Sequence, residues 1–440
     1  MHPPPDTSAT LRSILLCALL AVVSLSPVAV GAFRVLPDAL VGVGLAVFAA
    51  YAFGSARGRR SKQIAVVLLS ACFGVTLFDL AARPVLLYLS SVRPSERYIY
   101  RWPALPLLQR YAAGVEFEGP TYGDLAAVSG RGDWRAWHRI RFVTDGHGFR
   151  NEPPPPGSAA HPLDLIVLGD SFGVAAATSQ DETLSSVLAR DYGLGVYNLS
   201  VSRESPQQEY ANLLLEGERL KAREGACVLW LVFVGNDLDD TYYPELENPW
   251  PARPGAFARL AGRLSDFRGR SPVRRLLTGG DTSLVIERQF VDGRRVLFHR
   301  DYAERRERTA EEIARHPNFA HLKRTLGAME RLAGERRLKV SVALVPSKEE
   351  VYSWVLDGAA AWSSGAEESG FSEVMRGLCE QHGFRFLDLK PVLVEESRRE
   401  YERSGALLWW SDDTHWNGEG QRAAARAVYE NLLGGALPSP

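Results

Sequence analysis

Two apolar patterns divide this chain. Early on, apolar residues run almost unbroken over 15–33, 36–53 and 64–80. Each run is close to the length that crosses a bilayer as a helix, the second at the short end. Beyond them, short apolar runs alternate with stretches of helical spacing. Runs at 165–168, 196–199, 227–234, 340–345 and 384–387 read as buried strands. Helical spacing lies between and after them, at 180–192, 206–222, 320–338, 371–381 and 420–432, with Pro206 in a first turn. Strand and helix in this alternation give an α/β domain with a parallel sheet.

Other stretches break the rhythm. Residues 98–130 scatter Trp102, Tyr111, Phe117 and Tyr122 among Pro103, Pro106 and Pro120, and read as a junction. A short strand is expected at 139–143, a turn at 145–148 and a stiff tether at 153–156. Residues 240–319 carry Arg253, Arg259, Arg263, Arg268, Arg270, Arg274 and Arg275 and read as an insertion beyond the third strand. Residues 359–370 are small, polar and acidic, a loop. The expected division is a membrane region at 1–90, a juxtamembrane linker at 91–138, and an α/β domain at 139–440 with an arginine-rich insertion at about 240–319.

Charge fixes an expected orientation. Arg57, Arg59, Arg60 and Lys62 stand between the second and third apolar runs. The positive-inside rule makes that loop cytoplasmic and places the chain after about Ser91 outside a bacterial inner membrane, in the periplasm or its equivalent. The formal net charge of -1 gives no argument for nucleic acid. Cys17, Cys72, Cys227 and Cys379 form no metal-like cluster. Buried free thiols are expected in the α/β part, with a Cys227–Cys379 disulfide as the alternative. No metal and no cofactor is implied.

Candidate chemistry sits where an open α/β sheet places it, at the carboxyl ends of strands. Gly169, Asp170, Ser171 and Phe172 follow the first strand. Gly235, Asn236 and Asp237 follow the third, and Ser347 and Lys348 the fourth. The last loop reads Trp410, Ser411, Asp412, Asp413, Thr414, His415, Trp416, Asn417, Gly418. A serine hydroxyl is a weak nucleophile and needs a base, for which His415 is suited. The imidazole in turn needs a group that fixes its tautomer. Asp412 and Asp413 are both close enough in sequence. A turn folding back on itself favours Asp412.

These blocks resemble the SGNH, or GDSL, hydrolases. Gly169-Asp170-Ser171-Phe172 looks like the family's first block, Gly235-Asn236-Asp237 like its third, and Asp412-Asp413-Thr414-His415 like its fifth, an Asp-x-x-His pair. The resemblance covers roughly 139–433. It implies a three-layer α/β/α, flavodoxin-like fold with a five-stranded parallel sheet. It implies Ser171 as nucleophile, His415 as base and Asp412 as the orienting acid. The Ser171 amide and the Asn236 side chain would hold the oxyanion. The second block departs from the family: Arg203 stands where the family has glycine. Its amide is kept, but glycine's freedom at positive φ is given up, and its side chain becomes a candidate contact for a substrate carboxylate or carbonyl. Asp170, Asp237, Asp413, Lys348, Trp416 and Asn417 are further candidates for substrate contact or support.

A narrower resemblance is to proteins of alginate O-acetylation, through Asp-Thr-His-Trp and Val345-Pro346-Ser347-Lys348. That group's acid lies two residues before the histidine, which selects Asp413. Its histidine motif precedes its serine, whereas here the serine comes first. The function implied is acyl, chiefly acetyl, transfer to an extracytoplasmic polysaccharide or glycan, with a multi-span membrane protein as acyl donor. An esterase or deacetylase would use the same residues. A non-catalytic scaffold of an exopolysaccharide assembly complex is the alternative from another class.

Overall fold

The computed structural model describes residues 93–153, 162–247, 280–358 and 368–434, with single positions 63, 67 and 70. The three long apolar runs lie outside these, apart from the single positions, as do the seven arginines from Arg253 to Arg275 and most of the tether and of the acidic loop. No helix among the described residues is long and apolar enough to cross a membrane.

The described chain opens with α1 (Pro94–Arg97), β1 (Ile99–Arg101), β2 (Gln109–Tyr111), β3 (Glu116–Thr121), α2 (Asp124–Ser129) and β4 (His138–Val143). β1 pairs antiparallel with β2, and β3 with β4. The stretch expected as a linker is therefore folded, with Leu108, Tyr111, Tyr122 and Leu125 buried. Strands as short as β1 and β2 leave no alternation to read, and the prolines around them hid the pairing.

Next come β5 (Leu163–Leu168), α3 (Ser171–Val174), α4 (Leu184–Tyr192), β6 (Val196–Asn198), α5 (Pro206–Glu216) and β7 (Ala222–Phe233). The expected insertion holds a hairpin of β8 (Val285–Gln289) and β9 (Arg295–His299), then α6 (Arg300–Arg305) and α7 (Ala310–Ala314). The rest is α8 (Phe319–Arg336), β10 (Lys339–Val345), α9 (Lys348–Val351), α10 (Ser353–Leu356), α11 (Gly370–Gln381), β11 (Arg385–Asp388), α12 (Lys390–Ser404) and α13 (Gly418–Val428). Local chemistry sets several starts. Ser205 and Ser347 make capping boxes with Gln208 and Glu350, and Pro206 opens α5.

Five strands form one parallel sheet in the order β11-β10-β7-β5-β6. Strand residues alternate between its faces. Leu165, Val167, Leu229, Leu231, Ala343 and Val345 pack with Leu184 and Leu188 of α4, Leu393 of α12 and Val428 of α13. Ile166, Leu168, Val228, Trp230, Val342 and Leu344 pack with Leu213 of α5, Leu326 and Met329 of α8 and Met375 of α11. Each such aliphatic side chain contributes about 1.5–3 kcal/mol on burial. Helices on both faces give the three-layer α/β/α arrangement. Cys227 and Cys379 are buried free thiols.

The chain winds outward from β5 to β6, then returns past β5 to β7 and continues to β10 and β11. The direction reverses between β5 and β7, and an open α/β sheet places its site at the carboxyl ends of such a pair. Ser171 follows one of these strands and Asn236 the other.

Candidate active site

Ser171 stands at the first position of α3, on a tight exit from β5. Gly169 takes φ 156°, and a Cβ there would lie 3.1 Å from that of Leu231. Asp170 caps α3: its Oδ1 accepts from the Phe172 amide at 2.9 Å and its Oδ2 from Ser171 Oγ at 3.2 Å. Burial pushes the Asp170 carboxyl up. The turn after Ser171 is fastened by Arg150, which is fully buried. Its guanidinium donates to the carbonyls of Val174, Ala175, Thr178 and Arg141 and to Gln180 Oε1, at 2.7–3.1 Å. Burial lowers the Arg150 pKa to about 9. Sequence reading missed this residue, because a cation serving backbone carbonyls leaves no local pattern.

His415 Nε2 lies 2.6 Å from Ser171 Oγ, the shortest contact of the hydroxyl. Its other ring nitrogen, Nδ1, lies 2.8 Å from Asp413 Oδ1. The same Asp413 oxygen accepts from the His415 amide at 2.8 Å, closing a two-residue turn. Burial alone would raise the Asp413 carboxyl, but Arg93 and His415 outweigh it and hold it well below the usual carboxylate range. An ionised carboxylate at this distance accepts the Nδ1–H hydrogen bond, so the ring proton stays on Nδ1 and Nε2 faces the serine without one.

The expected partner of His415, Asp412, is replaced here by Asp413. Asp412 turns to the backbone instead. Its Oδ2 accepts from the amides of Gly123 and Ala136, both at 2.8 Å, and its carbonyl accepts from Leu125 at 3.1 Å and Ala126 at 3.3 Å. The segment expected to be a linker thus claims Asp412 and leaves the next residue for the imidazole. From the other side Lys348, fully buried, donates its Nζ to the carbonyls of Trp410, Ser411 and Asp413 at 2.7, 3.1 and 3.0 Å. Burial brings the Lys348 ammonium down to about 8. Lys348 therefore supports the loop and is not a substrate contact. β9 adds a further fastening, Leu297 N to Ser411 O at 2.8 Å.

Arg93 and Asp124 also stand at the dyad, and neither was among the sequence candidates. An Arg93 nitrogen pairs with Asp413 Oδ2, lies 3.2 Å from Asp124 Oδ2, and its neighbour is 3.0 Å from His415 Nδ1. Asp124 accepts from the Thr414 amide at 2.8 Å and from its hydroxyl at 2.5 Å. Oxygens of Asp124 and Asp413 and the imidazole Nδ1 fall within 4.8 Å of one another, and it is the Arg93 guanidinium that stands among them.

On the side expected to hold an oxyanion, Arg203 takes φ 65°, a left-handed conformation reached without glycine. The expected loss of that freedom is therefore not a loss of the turn, although an L-residue there costs about 1–2 kcal/mol. The Arg203 side chain is 65% exposed and meets Glu96 at 3.1 Å. Asn236 follows β7, with one amide N–H donated to Asp240 Oδ2 at 3.0 Å, which leaves the other for a ligand. Its carbonyl side-chain oxygen is buried without a partner among the described residues. Asp237 accepts from the Phe233 amide at 2.7 Å and is buried, so it ties the end of β7. Burial and neighbouring acids raise the carboxyls of Asp237 and Asp240, the latter to about 7.

Trp416 and Asn417 prove to be supports. Trp416 is in the core, edge-on to Phe172 at 4.9 Å. Asn417 caps α13, accepting from the amides of Glu419 and Gly420 and donating to Leu407 O at 2.6 Å. Beside the loop, His138 stacks on Trp410 with ring centroids 3.7 Å apart, and Trp137 is 57% exposed.

No family model and no curated protein matches this sequence. Among solved structures, the X-ray crystal structure of the YxiM protein of Bacillus subtilis is similar at 11% identity, with 73% of this chain and 75% of that chain covered and a TM-score of 0.33.

Proposed function

We propose that this chain is a serine acyl-ester enzyme that transfers an acyl group, acetyl in the simplest case, to a hydroxyl of an extracytoplasmic glycan. The observation that carries the serine chemistry is the chain Ser171 Oγ–His415–Asp413, with contacts of 2.6 and 2.8 Å. Ser171 Oγ attacks the acyl carbonyl while Nε2 takes its proton. The tetrahedral oxyanion would meet the Ser171 and Arg203 amides and the free N–H of Asn236. Collapse breaks the ester bond, and the imidazolium returns the proton to the departing alkoxide. A sugar hydroxyl then attacks the acyl-serine with His415 again as base. This forms the new ester and restores Ser171.

Glycan as acceptor is supported by the acid that the imidazole selects. Asp413 lies two residues before His415, the spacing of the alginate O-acetylation group that the loop resembles. The exposed ring of Trp137 offers a flat face of the kind sugars stack on. A multi-span membrane protein would supply the acyl group, and the apolar runs at the start of the chain would keep the domain near it.

The test uses the full chain in detergent with a chromogenic acetyl ester and an acidic oligosaccharide, and Ser171→Ala as control. Serine-dependent gain of acetyl groups on the oligosaccharide, counted by mass spectrometry, is expected. Consumption of ester with no glycan acetylated, and removal of acetyl groups from pre-acetylated glycan, would make the protein an esterase. Absence of serine labelling by a phosphonate on folded protein would make it a scaffold.

A further inference from the structure

We propose that Arg93 is a positioning residue of the Ser171–His415–Asp413 site, delivered by the segment that directly follows the predicted membrane region, and that the site is complete only when that segment is docked. The inference rests on the acyl-transfer reading for its consequence in turnover, but not for its geometry.

Arg93 is 3% exposed and immediately precedes α1, whose first residue is Pro94. One guanidinium nitrogen faces two carboxylates from separate elements, Asp413 in the last loop and Asp124 at the start of α2, 3.2 Å away, while the other stands 3.0 Å from His415 Nδ1. A planar fork can set one nitrogen on the carboxylate pair and the other beside the imidazole, which a single ammonium cannot. Asp124 in turn holds the Thr414 amide and hydroxyl. Arg93 is thus the cation at the centre of a cluster that fixes the loop immediately before His415.

Its position also bears on the proton. Nδ1 of His415 is 3.0 Å from Arg93, 2.8 Å from Asp413, 2.9 Å from Thr414 Oγ1 and 3.5 Å from Asp124. A guanidinium only donates, so among these groups Asp413 is the anion that can accept the Nδ1–H hydrogen bond. Arg93 holds that carboxylate by Oδ2, while Oδ1 faces the ring.

The experiment follows the Nδ1–H proton of His415 by NMR in full-length protein labelled at histidine, assigned by loss of the signal in His415→Gln. Turnover and KM on a chromogenic acetyl ester are measured in parallel. In Arg93→Gln the Nδ1–H signal is expected to shift or broaden as the loop loses its fastening, with kcat falling about tenfold to a hundredfold and KM little changed. In Arg93→Lys the charge stays but the fork is gone, so kcat is again expected to fall. A folded Arg93→Gln with the wild-type signal and turnover overturns the proposal. Should Arg93→Gln not fold, the decision passes to Arg93→Lys, where wild-type turnover overturns it. A changed Nδ1–H signal in a protein that shows no acyl chemistry supports the placing of Arg93 and sinks the acyl-transfer reading alone.

Discussion

Gly123 and Asp412 meet backbone to backbone: a Cβ at Gly123 would fall 1.9 Å from the Asp412 carbonyl oxygen. Only glycine allows this approach, and the approach decides which of two adjacent acids serves the imidazole. With Asp412 bound to the amides of Gly123 and Ala136, Asp413 is the residue that turns to His415.

The two acids should separate under substitution. Asp413→Asn keeps the shape but can present an N–H to Nδ1, which favours the wrong tautomer. Turnover should fall on the order of 10³–10⁴-fold, the scale seen when a serine triad loses its acid, with the circular dichroism spectrum unchanged. Asp412→Asn should leave most turnover in place and cost about 1–3 kcal/mol of stability through poorer acceptance of two buried amides. Kinetics and urea unfolding of both variants check the ranking, and larger catalytic damage from Asp412→Asn would return the role to that residue.

Arg203→Gly tests whether arginine there is needed. The backbone already has φ 65°, so glycine relieves strain of about 1 kcal/mol. The ion pair it removes, with Glu96, joins a largely exposed side chain to a partner of intermediate exposure and is worth little. The variant should unfold at equal or higher temperature and keep its turnover on a neutral ester. A selective loss on acidic glycan would assign the guanidinium a part in binding substrate.

Stability should fall as pH rises through neutrality. Burial pushes Asp240, Glu204 and Glu349 up to about 7. Unfolded carboxyls titrate near about 4, so between these values the folded state holds protons that the unfolded state has lost. That stabilisation is complete below the unfolded value and disappears as pH passes the folded one. Asp413 works in the opposite sense, its contribution being lost only in strong acid. His299, lowered by burial, also opposes, below its unfolded value. Lys348 adds stability only above about 8. Three carboxyls outweigh one imidazole, so the thermal midpoint should be higher near about pH 5.5 than near about pH 8, and Asp240→Asn should flatten the difference. An equal or higher midpoint in the alkaline sample would show that these groups are ionised in the fold.

The sheet was legible because its strands are continuous apolar runs, a signal carried within each segment. Leu165–Leu168 and Val340–Val345 are found in strands β5 and β10. Ser171, Asn236 and His415 were legible for a related reason, since chemistry at strand ends and in the last loop is marked by short local motifs. The choice between Asp412 and Asp413 was not, because it is made by Gly123 and Ala136, far away in sequence. Arg93 and Arg150 were invisible for the same cause: their partners are carboxylates and carbonyls contributed by other elements. β1 to β3 were too short and too rich in prolines nearby to show a period. α12 was missed because its buried face is narrow, only Lys390, Leu393, Val394 and Ser397.

A chain started at Arg131 would therefore be a poor stand-in for the whole. It loses Arg93, Gly123 and Asp124, together with β3, the partner of β4. Such a chain should be insoluble or inactive, whereas one started at Val92 should fold and keep the site. Equal esterase activity from both would mean that the early segment is dispensable to the loop.

Ser171 and the imidazole it leans on are 244 positions apart, and Arg93 and Asp413 are 320 apart. During synthesis Ser171 therefore leaves the ribosome long before His415 does. The loop carrying the imidazole has to be received by fastenings from earlier stretches of chain, at Arg93, Gly123, Leu297 and Lys348. On the proposed chemistry the hydroxyl is an ordinary alcohol until that loop docks. Reactivity would then be the last property this molecule acquires, and any accident that removes the final stretch, a stalled ribosome or a protease cut after Leu408, would yield a silent chain and not an uncontrolled one.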